Sequence, residues 1–450
     1  MAWNYRSYGR GRSLGGAPLL GLWVALSLTA CGDILEVKNP NNVNEENTRD
    51  PVAATALVNG ALQRVADGVD YSALVVGTAA DEYEWTGSRD AWRELDDGHL
   101  SNGFNEFTDA AYPLIARGRW LADEAIRVLE EQQAAGTLLE PSDLARAYLY
   151  SAIAYVSAAD MWDDFTLPVR KGESVPPVGE ANMKSLYDKA IEYLDKAEPL
   201  ASGELKTTII AMRARAKFNK AIWDLVGVRP IKTGLATDTY GAAADASAAL
   251  AAIPAPDWEF RFTWSAATGD SPAGAWVNSR QEMRLGPTYV APSPTGPTWL
   301  DQVVLLDPID NVPAPAVDKI QKLFKAEGQT AGITVVSARE LHLILAEAAL
   351  AAGNIAGFQT AINNLRALDG LSAWAGPPPA SSVSAMDLLI HSRQANLFRQ
   401  GRRLADHYRF QIRSPEWKDG AQALEGGWFL PITANECLTN TTIGAENCSK

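Results

Sequence analysis

From about residue 50 to residue 256, and again from residue 335, apolar residues return at three- and four-residue spacing in segments with recognisable ends. That is the signature of amphipathic helices. Asp50-Pro51 opens VAATALVNGALQRVADG, which the pattern closes at Gly68. NEFTDAAYPLIARGRWLADEAIRVLEEQQAAG follows, then PSDLARAYLYSAIAYVSAADMW with Ser142 as the expected cap. NMKSLYDKAIEYLDKAEPL, KTTIIAMRARAKFNKAIWDLVG and TYGAAADASAALAAIPA continue the series. SARELHLILAEAALAAGN and IAGFQTAINNLRALDG form another pair, joined at Gly353-Asn354. AMDLLIHSRQANLFRQGRRLADHYRF reads as a last long helix or helix pair. The small residues at packing positions let neighbouring helices approach closely.

Residues 257–334 break this pattern. DWEFRFTWS alternates like a strand, GPTYVAPSPTGPTW is a Pro/Gly-rich loop, and QVVLLDPIDNVPAPAVD is a short β-branched run followed by turns. LYDKAIEYLDKA and AEAALAAGNIAGFQTAINNLRA resemble tetratricopeptide helices, without a clean repeat register. The expected fold is therefore mostly α, a tetratricopeptide-like solenoid of about four degenerate helix pairs. An irregular, loop-rich insertion with a few short strands interrupts it. The expected divisions are a leader over 1–30, a tether over 31–49, a helical region over 50–256, a ligand-binding insertion over 257–334, and the fourth pair with a C-terminal region over 335–450. A generic helical bundle is the plainer alternative.

The amino end carries Arg6, Arg10 and Arg12, then APLLGLWVALSLTA, the layout of a secretory signal. The apolar run is shorter than the roughly 20 residues a membrane span needs. Leu28-Thr29-Ala30-Cys31 resembles the lipobox of bacterial lipoproteins, in which the Cys thiol is alkylated by diacylglycerol and the leader removed. Cys31 is thus expected to be a lipid tether. Residues 1–30 hold three arginines and no acid, so the net charge of −14 becomes −17 once they are removed. Such a surface disfavours nucleic acid. The remaining cysteines, Cys437 and Cys448, stand near the C-terminus. An exported chain meets an oxidising compartment, which points to a disulfide closing the tail; two independent thiols are the alternative.

Motifs for catalysis are absent from the sequence. None of the four histidines (His99, His342, His391, His407) stands at a metal-ligand spacing, and no HExxH, GxSxG, Walker loop or dinucleotide fingerprint occurs. Asp163-Asp164 are adjacent carboxylates, and Asp307 with Asp310 lack EF-hand spacing. The plain reading of each is a solvated or capping acid. No enzyme activity, cofactor or metal is expected.

Aromatic residues in polar loops are the positive signal. DEYEWTGSRDAWRELDDGHLSNG holds Tyr83, Trp85 and Trp92, and the insertion adds Trp258, Trp264, Trp276, Tyr289 and Trp299. One face of a pyranose is a patch of C–H groups that packs on an indole, while its hydroxyl rim seeks amides, carboxylates and guanidinium groups. Tyr83, Trp85, Trp92, Tyr289 and Trp299 are the candidates for stacking, with Arg89 and Asn102 for hydrogen bonds. Each of these aromatics has an alternative role as a loop anchor.

The stretch SARELHLILAEAALAAGNIAGFQTAINNLRALDGL resembles a signature of the SusD/RagB family. It carries Glu340, Ala346-Glu347-Ala348, Gly353, Ala361, Ile362, Asn363 and Arg366 at the family's positions. FRQGRRLADHYR, with Gly401, Arg403, Asp406 and Arg409, resembles a second segment, and WFLPITANECLTN a third. Departures at Asn396, Gln400 and Thr433 make the chain resemble a distant member. The resemblance implies a helical scaffold packed on an outer-membrane β-barrel, a SusC-like TonB-dependent transporter, with ligand held in a shallow site built from loops. It implies a surface lipoprotein of the outer membrane that captures oligosaccharide. A peptide-capturing member, or a scaffold without ligand, is the alternative. The motif residues themselves are expected to be structural, with Glu347 and Arg366 pairing or capping.

Overall fold

The computed structural model describes residues 49–170, 172–292 and 300–444. Cys31 and the expected leader, together with Trp299 and Cys448, lie outside these residues. The chain divides into two units, Met1–Asp50 and Pro51–Lys450. All elements below belong to the second.

The first long helix, α1, runs over Ala54–Thr78 and does not end at Gly68. Gly68 is instead a crossing point: a Cβ there would lie 2.5 Å from the Ile115 Cα. A short strand β1 (Tyr83–Trp85) and a helix α2 (Asp90–Asp96) occupy the segment expected to be loop. Helix α3 (Glu106–Ala134) starts at Asn105, whose side chain accepts from the Phe107 and Thr108 N–H groups. These are two of the donors a helix start leaves unpaired. Gly118 on α3 meets α1 in turn, since its Cβ would lie 2.8 Å from the Arg64 carbonyl oxygen. Helix α4 (Pro141–Met161) begins on Pro141, one residue before the expected Ser142 cap. Proline suits that position because its missing N–H would have no partner there.

Helices α5 (Ser185–Ala197), α6 (Gly203–Val226) and α7 (Ala242–Ala252) extend the series. Each helix packs on its sequence neighbour from α3 to α7, and α1 packs on both α3 and α4. The series is therefore a stack of helix pairs, mostly α, as the sequence pattern implies.

Strand β2 (Glu259–Phe262) opens the irregular region, followed by a π-helical turn over Gly274–Ser279. Strands β3 (Met283–Leu285), β4 (Val290–Ala291) and β5 (Gln302–Val303) come next. A well-formed helix, α8 (Pro315–Glu327), then stands where only turns were expected. Strand β6 (Ile333–Ser337) closes the region by pairing antiparallel with β2. The other pairs are β1 with β3 and β4 with β5, also antiparallel.

Helices α9 (Ala338–Ala351) and α10 (Ile355–Ala367) form the next pair, turned by Gly353 at φ +71°. The side chain of Ser337 caps the first and that of Asn354 the second. The last long segment is broken into α11 (Ala385–Asn396) and α12 (Arg403–Phe410), and a short α13 (Ala434–Thr439) ends the described chain. Among the described residues, no helix is long and apolar enough to cross a membrane.

The motif residues are structural, though Glu347 and Arg366 pair with other groups. Arg409 and Arg393 hold Glu347, while Asp307 (2.7 Å) and Asp310 (3.1 Å) hold Arg366. Asp307 and Asp310 are thus the acids of an ion pair. Arg403 reaches back to Asp81 at 3.1 Å, and Arg393 pairs with Asp406 at 2.8 Å. The C-terminal segment is stitched in this way to α9 and the loop after α1.

Candidate functional site

The β1–β3 ribbon projects the first aromatic loop. Its register sets Tyr83 opposite Leu285 and Trp85 opposite Met283, so the two aromatics share a face. The core end of that face swallows Tyr83, whose hydroxyl accepts from the Arg399 Nε at 2.9 Å. At the outer end Trp85 is half-buried, with the Arg93 guanidinium 5.6 Å above its ring. Its backbone N–H donates to Asp96 at 3.1 Å. Burial pushes the Asp96 carboxyl up to about 8, and Glu416, Glu84 and Asp97 add to the shift against the Trp85 N–H.

Glu282, next to β3, pins the loop that follows Trp85. Its carboxylate accepts from the Ser88 N–H (2.7 Å), the Ser88 hydroxyl (2.9 Å) and the Arg89 N–H (3.1 Å). Its carbonyl accepts from Thr86 and Gly87. The start of α2 is therefore fixed by a residue almost two hundred positions away in sequence, at about the strength of charge-assisted bonds.

Three of the expected stacking residues are corrected by their burial. Helix α2 turns Trp92 and Leu95, three apart, to the interior. Trp92 is 0% exposed, stacked on Phe107 at 3.9 Å. Tyr289 is likewise 0% exposed and stacks on Phe398 at 4.1 Å. With Tyr83 they are core residues, and no ligand reaches their faces in this arrangement. Trp258 and Trp264 are buried anchors too, donating to Glu204 (2.8 Å) and Asp67 (3.0 Å). Trp299 lies outside the described residues. Cys437 is disulfide-bonded, and its expected partner Cys448 lies outside them as well.

The structure brings the remaining candidates together and adds others. Trp276, in the π-helical turn, is half-buried and meets Trp92 edge-on at 5.7 Å and Phe107 at 5.0 Å. The Arg280 guanidinium covers its ring at 4.4 Å. Arg89 pairs with Glu106 at 2.9 Å, both side chains about half exposed. Asn102 is exposed; its amide donates to Glu94 at 2.8 Å and its carbonyl accepts from the Phe104 N–H. Phe104 itself is 59% exposed, a large apolar ring left to solvent. The site is thus one surface around the starts of α2 and α3: two half-buried indoles, one exposed phenyl ring, and a rim of Arg89, Arg93, Glu94, Asn102, Glu106 and Arg280.

Sequence reasoning passed over Phe104, Arg93, Arg280, Glu94 and Glu106, and counted Trp276 without choosing it. The signal available for Arg280 was its spacing of four from Trp276, which sets one side chain over the other on a helical turn. Chemically, the surface offers apolar ring faces beside donors and acceptors, and almost every polar group is already held in place by a neighbour.

No protein-family model and no curated relative matches the chain. Among solved structures it is similar to a SusD superfamily protein from Bacteroides fragilis (TM-score 0.61, 13% identity, covering 88% of this chain and 99% of that one). It is similar to a SusD-like carbohydrate binding protein from Bacteroides vulgatus (TM-score 0.59, 12% identity, 89% and 98%). A third, solved with xylogluco-oligosaccharide, has TM-score 0.58, 13% identity, and coverage of 87% and 99%. The fold of this chain is the SusD fold.

Proposed function

We propose that the protein is a surface lipoprotein of the outer membrane that captures oligosaccharide and delivers it, unaltered, to a TonB-dependent β-barrel transporter. What supports the sugar assignment is the presence of two half-buried indoles, Trp85 beside the start of α2 and Trp276 against Trp92 and Phe107, with Arg89, Asn102 and Glu94 on the same helix starts. A solvent-facing indole beside fixed polar groups suits the alternation of C–H patch and hydroxyl on a pyranose. The fold supports this reading, since two neighbours of the same architecture are described with carbohydrate. Cys31 is the proposed lipid tether, and the stack of helix pairs the proposed face for the barrel. A shallow site of this kind binds at roughly micromolar to millimolar strength.

Calorimetry with a panel of neutral and acidic oligosaccharides tests the assignment. Heat of binding with at least one glycan is expected. Heat with peptides and with no glycan would overturn it in favour of peptide capture, which Phe104 and the acids Glu94 and Glu106 would then explain.

A further inference from the structure

Three arginines stand on this surface, and two of them have carboxylate partners: Arg89 pairs with Glu106 (2.9 Å) and Arg93 with Asp90 (3.4 Å). Arg280 differs. Among the described residues no carboxylate lies within ion-pair distance of it, and its contact is the Trp276 ring at 4.4 Å. Among the described residues the Arg280 guanidinium donates no side-chain hydrogen bond, which leaves it the fork that fits a carboxylate with two parallel hydrogen bonds.

The backbone that presents Arg280 is unusual on both sides. Before it lies the π-helical turn, a rare form found often at functional sites. After it, Gln281 takes φ +55°, a left-handed conformation that costs a non-glycine residue energy. The turn is clamped from below. Asn278 donates to the Phe324 and Gly328 carbonyls at 3.0 and 2.9 Å, and Gln329 donates to the Ser279 hydroxyl at 2.6 Å. Gly274 is needed for that approach, because a Cβ would lie 2.5 Å from the Gln329 carbonyl oxygen. A guanidinium held on a rigid turn loses less freedom on binding than one on a free side chain.

We infer that Arg280, seated on Trp276, selects glycans that carry a carboxylate, that is, oligosaccharides of uronic acids. The inference rests on the sugar reading of the same surface and narrows it. The net charge, −14 over the whole sequence and −17 without residues 1–30, opposes polyanions at long range. Physiological salt screens that field over about 8 Å, so the contact with the nearest guanidinium decides.

The test is calorimetry of the full chain with oligogalacturonate and oligoalginate, each beside its carboxyl-reduced neutral counterpart. The acid forms should bind about tenfold more tightly, the scale of one charge-assisted hydrogen-bonding pair. Arg280→Ala should erase that difference and Arg280→Lys should keep part of it, with melting temperatures unchanged because the side chain is exposed. Equal affinity for acid and neutral forms, or a preference that survives Arg280→Ala, would overturn the inference while leaving sugar capture intact. Absence of binding by any glycan, acid or neutral, would overturn both.

Discussion

Glu82 is buried between the aromatic loop and the C-terminal segment. One carboxylate oxygen accepts from the Arg399 N–H at 2.8 Å, and the other has no hydrogen-bond partner among the described residues. Burial pushes its carboxyl up to about 8, from near 4.5 in an unfolded chain, and the neighbouring Asp81 adds to the shift. The folded state thus holds a proton that the unfolded state releases. This contribution to stability is fully present below about pH 4.5, shrinks as pH rises, and is gone by about pH 8. Burial moves Asp163 in the same direction, also to about 8. The melting temperature should therefore fall as pH is raised from 5 to 8, and Glu82→Gln should flatten that fall. A profile of the variant parallel to the wild type would refute the assignment. At this scale the sequence was least informative. Trp85 and Trp92 stand in one polar stretch with similar neighbours, yet Trp85 ends strand β1 half-buried while a seven-residue helix turns Trp92 inward.

Elements were far more legible, because helical periodicity is a local property. The paired helices occur where the apolar spacing puts them, and the Ser337 and Asn354 caps and the Gly353 turn bound α9 and α10. The errors have local causes as well. Gly68 resembles a helix end in sequence, yet its role is to let α1 touch the α3 backbone at Ile115, a contact that depends on a distant segment. Helix α8 was masked by the prolines before it, although Pro315 occupies the first helical turn, where proline is favoured. The same contact predicts a cost. Gly68→Ala places a methyl against the Ile115 Cα and should destabilise the fold by about 1–3 kcal/mol, as overpacking of a closed interface does. Thermal melting should show the loss, and an unchanged melting temperature would mean the helices do not cross there. Gly60→Ala, whose methyl meets no atom of another segment within 4 Å among the described residues, is the control.

At the scale of the whole molecule, the residues that carried the family resemblance are those that close the fold. Glu347, Arg366, Arg403, Asp406 and Arg409 sit in buried ion pairs that tie the C-terminal segment to α9, α11 and the loop after α1, and α10 to the irregular region. Breaking such a pair leaves an uncompensated charge in the interior. The constraint on these residues is therefore architectural, which is why the fold was readable and the ligand surface was not. That surface is assembled from a β-ribbon, two helix starts and a π-helical turn, far apart in sequence, and no motif spans them. The central claim is that this surface grips sugar through Trp85 and Trp276. The most direct test is calorimetric titration of the best-bound oligosaccharide against wild type and the Trp85→Ala/Trp276→Ala double variant, with circular dichroism to establish that both are folded. The account predicts at least a tenfold loss of affinity in the folded double variant; full affinity in that variant would contradict it.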